Sequence, residues 1–215
     1  MRPDQVAKDE RGAALIVALL IGMLLAGLGA VLITVSNTET LITAAHRHLL
    51  ETSYAAEAAF ERAVRDLDVL PDWDLILAPP PGNLQSTFVD GQSHPSAPDG
   101  RTLDVPALTL QRQAHSDSTS GPGIFGADSP RWRLFAQASL TSLLPAGAQA
   151  QPAYLLVWVA DDGLDGDGDP SRDSNGRVLV FAEAYGIGGS RRGVDGVVAR
   201  PAGGMIRVLT RRLVR

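Results

Sequence analysis

Six aspartates fall within residues 161–173, in the stretch DDGLDGDGDPSRDSN, and Arg172 is the only positive charge among them. Asp165, Asp167 and Asp169 alternate as in calcium loops, where carboxylates at the first, third and fifth positions converge on one ion. Asp173 falls at the ninth position of the same count. The match then departs from the EF-hand rule, because the sixth position is Pro170 rather than Gly and the twelfth is Gly176 rather than Glu. An irregular calcium loop through Asp165, Asp167, Asp169 and Asp173 is one reading, since Ca²⁺ accepts flexible oxygen geometry and backbone carbonyls. A solvated acidic turn between two strands, with Asp and Gly as turn formers, is the other. Without an ion these carboxylates repel one another. The chain has no cysteine, so a metal here would also serve as the staple that a disulfide cannot supply.

No other block points as clearly to chemistry. The histidines are His46, His48, His94 and His115. His46 and His48 sit two apart in a helical segment and so do not share a face, and no HExxH is present. GPGIFG at residues 121–126 matches GxGxxG in form only. It lies in a Pro/Ser-rich stretch with no strand before it and no helix after it, and reads as a flexible loop. There is no P-loop, no GxSxG and no paired-carboxylate spacing, so neither catalysis nor a small-molecule substrate is expected. Arg191, Arg192, Arg200, Arg207, Arg211, Arg212 and Arg215 face a single acid, Asp195, near the C-terminus. They read as a solvated or salt-bridged face, with contact to DNA the weaker reading. The net charge is −5 and aromatic interleaving is absent, so no nucleic-acid partner is expected. Trp73, Trp132 and Trp158 read as core or loop-packing residues.

The acidic loop at residues 161–176 is held between two strand-like runs. Residues 132–140 and 154–160 read as strands joined by a small-residue loop, and 177–188 (RVLVFAEAYGIG) is strongly β-like. Residues 194–200 and 205–214 read as a hairpin across Pro201-Ala202-Gly203-Gly204. A further strand is expected at 102–112. Loops are expected at 71–101, which contains Pro79-Pro80-Pro81-Gly82, and at 113–130.

The N-terminal third follows a different pattern. Residues 13–35, AALIVALLIGMLLAGLGAVLITV, form an uncharged apolar run of 23 residues. About 20 apolar residues span a bilayer, whereas a secretory signal has an apolar core of about 7–15 residues and then a cleavage site. Past Val35 the chain reads SNTETLITAAHRHLLETSYAAEAAFERAVRDLD with no Pro or Gly. Leu41, Ala45, Leu49, Ala56, Phe60, Val64 and Leu67 make one helical stripe. Residues 13–68 therefore predict one helix of about 80 Å at 1.5 Å per residue, ended by Leu70-Pro71. Gly22, Ala26 and Ala30 recur every four residues, as small residues do where helices approach closely; Gly and Ala are also common in membrane helices at large. Arg2, Lys8 and Arg11 precede the run, and only Arg47 follows within about 15–20 residues, which places the N-terminus in the cytoplasm.

A short charged leader at residues 1–12, then Gly12, then an unbroken apolar helix resembles the type IV pilin-like signal. More closely, GAALIVALL with the continuation SYAAEAAFERAV is similar to PilX-type pilus-assembly proteins. The resemblance covers residues 9–68 well and the stretch VWVADDGLDGDGDPSRDSNGRVLVFAEAYG more loosely. It implies a minor pilin, cleaved after Gly12 by prepilin peptidase, methylated on Ala13 and incorporated with other major and minor pilins. Its N-terminal helix would hold it in the inner membrane, with the C-terminal domain in the periplasm and, after assembly, on an extracellular pilus. Major pilins usually carry Glu at the fifth mature position; here it is Val17. A carboxylate in lipid is costly and is kept where it has a partner, so its absence fits a scarce or tip-located subunit. The K-type minor pseudopilin of type II secretion shares that absence. A membrane-tethered, calcium-dependent binding module that never polymerises is the alternative of another class. The expected fold is α+β, a long N-terminal membrane-spanning helix packed on a C-terminal antiparallel sheet in residues 69–215.

Overall fold

A computed structural model describes residues 3–78, 84–120, 124–145, 147–202 and 204–214, with backbone alone for residues 3–12 and 120. The expectations at Pro79-Pro80-Pro81-Gly82, at Gly121-Pro122-Gly123, and for Gly203 and Arg215 lie outside the described residues. Helix α1 runs Pro3–Val69, and the chain divides into two compact units, Met1–His46 and Arg47–Arg215.

The first unit is helical throughout its described part. From Ala13 onward essentially every side chain is exposed, and Leu15, Leu24 and Leu32 are each more than 60% open. The stretch is long and apolar enough to cross a membrane, as a membrane anchor or a signal sequence would be. Its polar side chains close on their own backbone. The hydroxyl of Thr34 donates to the Ala30 carbonyl, and that of Thr38 to the Thr34 carbonyl, each at 2.9 Å. A hydroxyl satisfied in this way adds little to the cost of an apolar surrounding.

In the second unit, the remainder of α1 packs against a five-stranded antiparallel sheet. The strands are β1 Arg133–Ser139, β2 Tyr154–Asp161, β3 Arg177–Tyr185, β4 Arg191–Ala199 and β5 Arg207–Val214, and they follow one another in space as in sequence. Small residues set the closeness of the helix. Ala55, Ala56, Ala59 and Ala63 are buried with Phe60 and Leu67 against Leu155, Val157, Val180, Ala182 and Val194. The apolar stripe of the sequence is thus buried at Ala56, Phe60, Val64 and Leu67, while Leu41 is 71% exposed.

The other sheet face is also covered. Leu156, Trp158, Phe181 and Tyr185 lie there with Leu103 and Val105. Strand β2 is buried at all eight positions, which explains why YLLVWVA shows no polar alternation: neither face meets water. The α+β class is the one expected, and a long apolar N-terminal helix on an antiparallel sheet is consistent with a pilin-like fold.

One expectation is corrected. Residues 102–112 are not a strand, and 113–130 is not loop from its start; α3 is a helix over Val105–Ser120. Asp104 Oδ1 accepts from the Ala107 N–H at 2.9 Å, and Pro106 sits in the first turn where its missing donor costs nothing. Tertiary contacts hold the helix to the sheet. Trp158 Nε1 donates to Thr109 Oγ1 at 2.8 Å, and Gln113 accepts from the Trp132 N–H at 2.9 Å. Two short helices, α2 Asp74–Leu77 and α4 Leu140–Leu143, complete the elements. Trp73, immediately before α2, closes the end of α1 by donating from Nε1 to the Leu67 carbonyl at 3.0 Å.

Candidate functional site

The acidic connection runs between β2 and β3, whose pairing of Asp161 with Val178 sets its two ends. In β2, Leu155, Val157 and Val159 point to the α1 face, and Asp161 continues that alternation. Its side chain is fully buried (0% exposed), and neither Oδ1 nor Oδ2 has a hydrogen-bond partner. The chain then turns through Gly166 and Gly168, both at positive φ (77° and 81°), where a side chain is strained. These turns bracket Asp167.

Oxygens of Asp161, Asp165 and Asp167 come within 4.8 Å of one another. Two oxygens bound to one Ca²⁺ at about 2.3–2.6 Å lie no more than about 5 Å apart, so the spacing of the three carboxylates is compatible with one hard cation. The cluster could hold a metal. Burial, and next the charge of Asp165, push the Asp161 carboxyl up to about 8. The physical cause is that burial strips water from the charged form beside a second carboxylate.

The sequence-predicted ligands divide. Asp165 and Asp167 stand in the cluster; Asp165 also accepts from the Ser174 N–H at 2.7 Å and from the Ser174 hydroxyl. Asp169 lies outside the three-residue group and turns onto the Ser171 N–H at 3.0 Å. Asp173 accepts from the N–H groups of Gly176 and Arg177 at 2.7 and 3.1 Å, closing the return into β3. Asp161 is the member that loop spacing misses. The signal that could have found it is the two-residue strand period: an acid on the core-facing register of an otherwise apolar strand.

A neighbouring segment supports the loop. The Phe125 ring lies on Gly163, where an added Cβ would come within 2.4 Å of Cγ. Asn175 donates to Asp162 at 2.7 Å.

Among the described residues, none of the C-terminal arginines forms a salt bridge with the acidic loop. Arg191 pairs with Glu183, Arg211 with Glu61 and Arg212 with Asp195. Arg200 stacks over Trp73 and donates to the Leu67 carbonyl in the last turn of α1, where a cation suits the helix dipole. In the first unit, Val17 is 54% exposed, and a Cβ added at Gly22 would meet nothing within 4 Å.

No protein-family model matches the chain, no curated protein matches it, and no solved structure matches it.

Proposed function

We propose that the chain is a minor, pilin-like subunit that takes part in type IV pilus assembly or initiation. Its role is assembly rather than catalysis. The observation that carries this reading is the solvent-bare apolar stretch of α1 at residues 13–35, in a helix whose later turns form one layer of a folded domain. Before assembly the bare stretch is held in the inner membrane, with the N-terminus cytoplasmic and the sheet domain periplasmic. On assembly the same surface buries against the helices of other major and minor pilins, its small face at Gly22, Ala26 and Ala30 allowing close approach. Val17, in place of an acid, leaves no carboxylate to be neutralised by a neighbour, which suits an initiating or tip subunit. A minor pseudopilin of type II secretion would use the same surface.

N-terminal mass spectrometry of the native protein, with and without prepilin peptidase, tests this. The expected terminus is N-methyl-Ala13, formed only with the peptidase. An intact residue 1–12 segment in both samples overturns the pilin reading. Leu19→Asp is expected to block membrane insertion or incorporation, since exchanging Leu for Asp within a membrane helix costs about 3–4 kcal/mol.

The buried, unpartnered Asp161 favours a second role for the exported domain, binding of Ca²⁺ by Asp161, Asp165 and Asp167. In a chain that keeps its leader, this role would stand alone, as a membrane-tethered, calcium-dependent binding module.

A further inference from the structure

On the sheet face opposite α1, helix α3 leaves a cleft over β4 and β5. It comprises a cavity of about 450 Å³, lined in part by Arg112, Trp132, Leu179, Val197 and Val214, and a second of about 260 Å³ that shares Arg112 and Val214. A volume of this order suits a small organic ligand, and the lining mixes apolar walls with charged and polar side chains, among them His115, Asp195, Arg211 and Arg212.

Arg112 is the unusual member. Its guanidinium carbon lies 3.8 Å from the centre of the Phe181 ring and 4.3 Å from that of Trp132. The two rings meet edge to face, with centroids 6.3 Å apart, and fix the cation by stacking. Its acids are already taken. Glu183 is bonded by Arg191, and Asp195 by Arg212 through three contacts of 2.7–2.9 Å. Four arginines (Arg112, Arg191, Arg211 and Arg212) thus meet two carboxylates in the cleft; Arg211 pairs with Glu61, and no carboxylate among the described residues forms an ion pair with Arg112. Its Nε is buried with no hydrogen-bond partner, and the same is true of Trp132 Nε1. Two donors of one cleft are therefore without an acceptor. A buried donor left unsatisfied is costly, so it marks a place where an acceptor from elsewhere is favoured.

We propose that this cleft binds a small organic acid, its carboxylate on the Arg112 fork and its apolar body over Leu179, Val197 and Val214. The guanidinium matches a carboxylate in shape, because two N–H groups of its planar fork can reach both oxygens in parallel. Trp132, whose indole N–H is buried without a partner, lines the same cavity. A neutral apolar ligand would cover the walls and leave both donors unpaired. This site is independent of the pilin assignment and of the aspartate cluster.

The probes are 4-phenylbutyrate and its amide, titrated into the full chain in nanodiscs, read by calorimetry and by the ¹⁵N–¹H signal of the Trp132 indole. The acid is expected to bind saturably, with a dissociation constant at or below about 1 mM, and to move the Trp132 signal. The amide is expected to bind at least about tenfold more weakly, and Arg112→Gln to lower the acid's affinity by about tenfold or more. Equal binding of acid and amide, no saturable binding of either, or full affinity in a folded Arg112→Gln chain overturns the proposal. Should that variant lose its fold, the comparison of acid with amide on the unaltered chain decides.

Discussion

Replacing Asp161 by Asn separates a cation site from a merely buried acid, because only a cation site gives the parent a cation-dependent gain that the variant loses. The side chain is fully buried and neither oxygen has a partner. In chelator, Asp161→Asn removes a carboxyl whose charged form nothing offsets and changes the volume little. The variant is then expected to be at least as stable as the parent. With cation present the parent gains stability that the variant largely does not. Taking a dissociation constant of about 0.1 mM, as in extracellular calcium modules, 1 mM Ca²⁺ stabilises the parent by RT ln 11, about 1.4 kcal/mol. For a domain of this size that raises Tm by about 3–6 °C. Removing one of three anionic ligands weakens binding about tenfold or more. The gain then falls to RT ln 2, about 0.4 kcal/mol, or roughly 1 °C. The assay is thermal melting of the full chain in detergent, in EDTA and in 1 mM CaCl₂, for both proteins. A parent that melts at one temperature in both buffers refutes the reasoning, and so does a variant that keeps the parent's full cation-dependent shift.

Three further outcomes follow from the geometry. Arg191→Met leaves the buried Glu183 carboxylate with only the Tyr185 hydroxyl as donor; because Arg191 is half-exposed, a loss of about 2 kcal/mol is expected by urea denaturation, with partial recovery on adding Glu183→Gln. Gly196→Ala sets a Cβ 2.4 Å from the Thr210 carbonyl oxygen and 2.9 Å from the Phe60 ring; a loss of at least about 2 kcal/mol is expected, and an unchanged urea midpoint would show that β5 yields freely. Leu41→Ser, at a position 71% exposed, is expected to leave stability within about 0.5 kcal/mol while reducing incorporation into filaments; normal incorporation would remove residue 41 from the assembly surface.

Legibility followed the physics of each segment. The five strands were readable because β-branched and aromatic runs broken by Gly and Pro resemble little else. Their bounds shifted by up to three residues, since Arg191 pairs with Tyr185 although its neighbours carry no apolar period. Residues 105–120 were misread because VPALTL looks like a short apolar strand. The helical cues were present but local: Asp104 as cap, Pro106 in the first turn, and Val105, Thr109 and Arg112 on one face. In the site, Asp165 and Asp167 were visible from loop spacing. Asp161 was not, because its role comes from strand register, which places an acid among the core residues. Arg112 was equally hidden, since its environment is made by Trp132 and Phe181, distant in the chain.

The apolar half of α1 needs a partner that the rest of the chain does not provide. Between Leu15 and Val35, fourteen large apolar side chains are each 48–69% exposed. Full burial of such a side chain contributes about 1.5–3 kcal/mol, so covering what is open here amounts to about 20 kcal/mol. A domain's whole stability is about 5–15 kcal/mol. A surface of that magnitude left in water would drive association before it affected folding. Lipid satisfies it without specificity, because an uncharged helix with its hydroxyls turned onto its own carbonyls presents nothing polar. Neighbouring helices satisfy it with specificity only if backbones come close, and Gly22, Ala26 and Ala30 are where closeness is possible. With Val17 in place of an acid, moving from one environment to the other requires no charge to be neutralised. On the proposed pilin reading, membrane residence and filament entry would be two nearly equal burials of one surface, and the balance between them would rest on contacts made by the domain. Substitutions on the sheet domain's exposed surface are therefore expected to shift the ratio of membrane-held to assembled protein without changing insertion, as measured by fractionating membranes and sheared filaments. A ratio that responds only to changes within residues 13–35 would place the control in the helix instead.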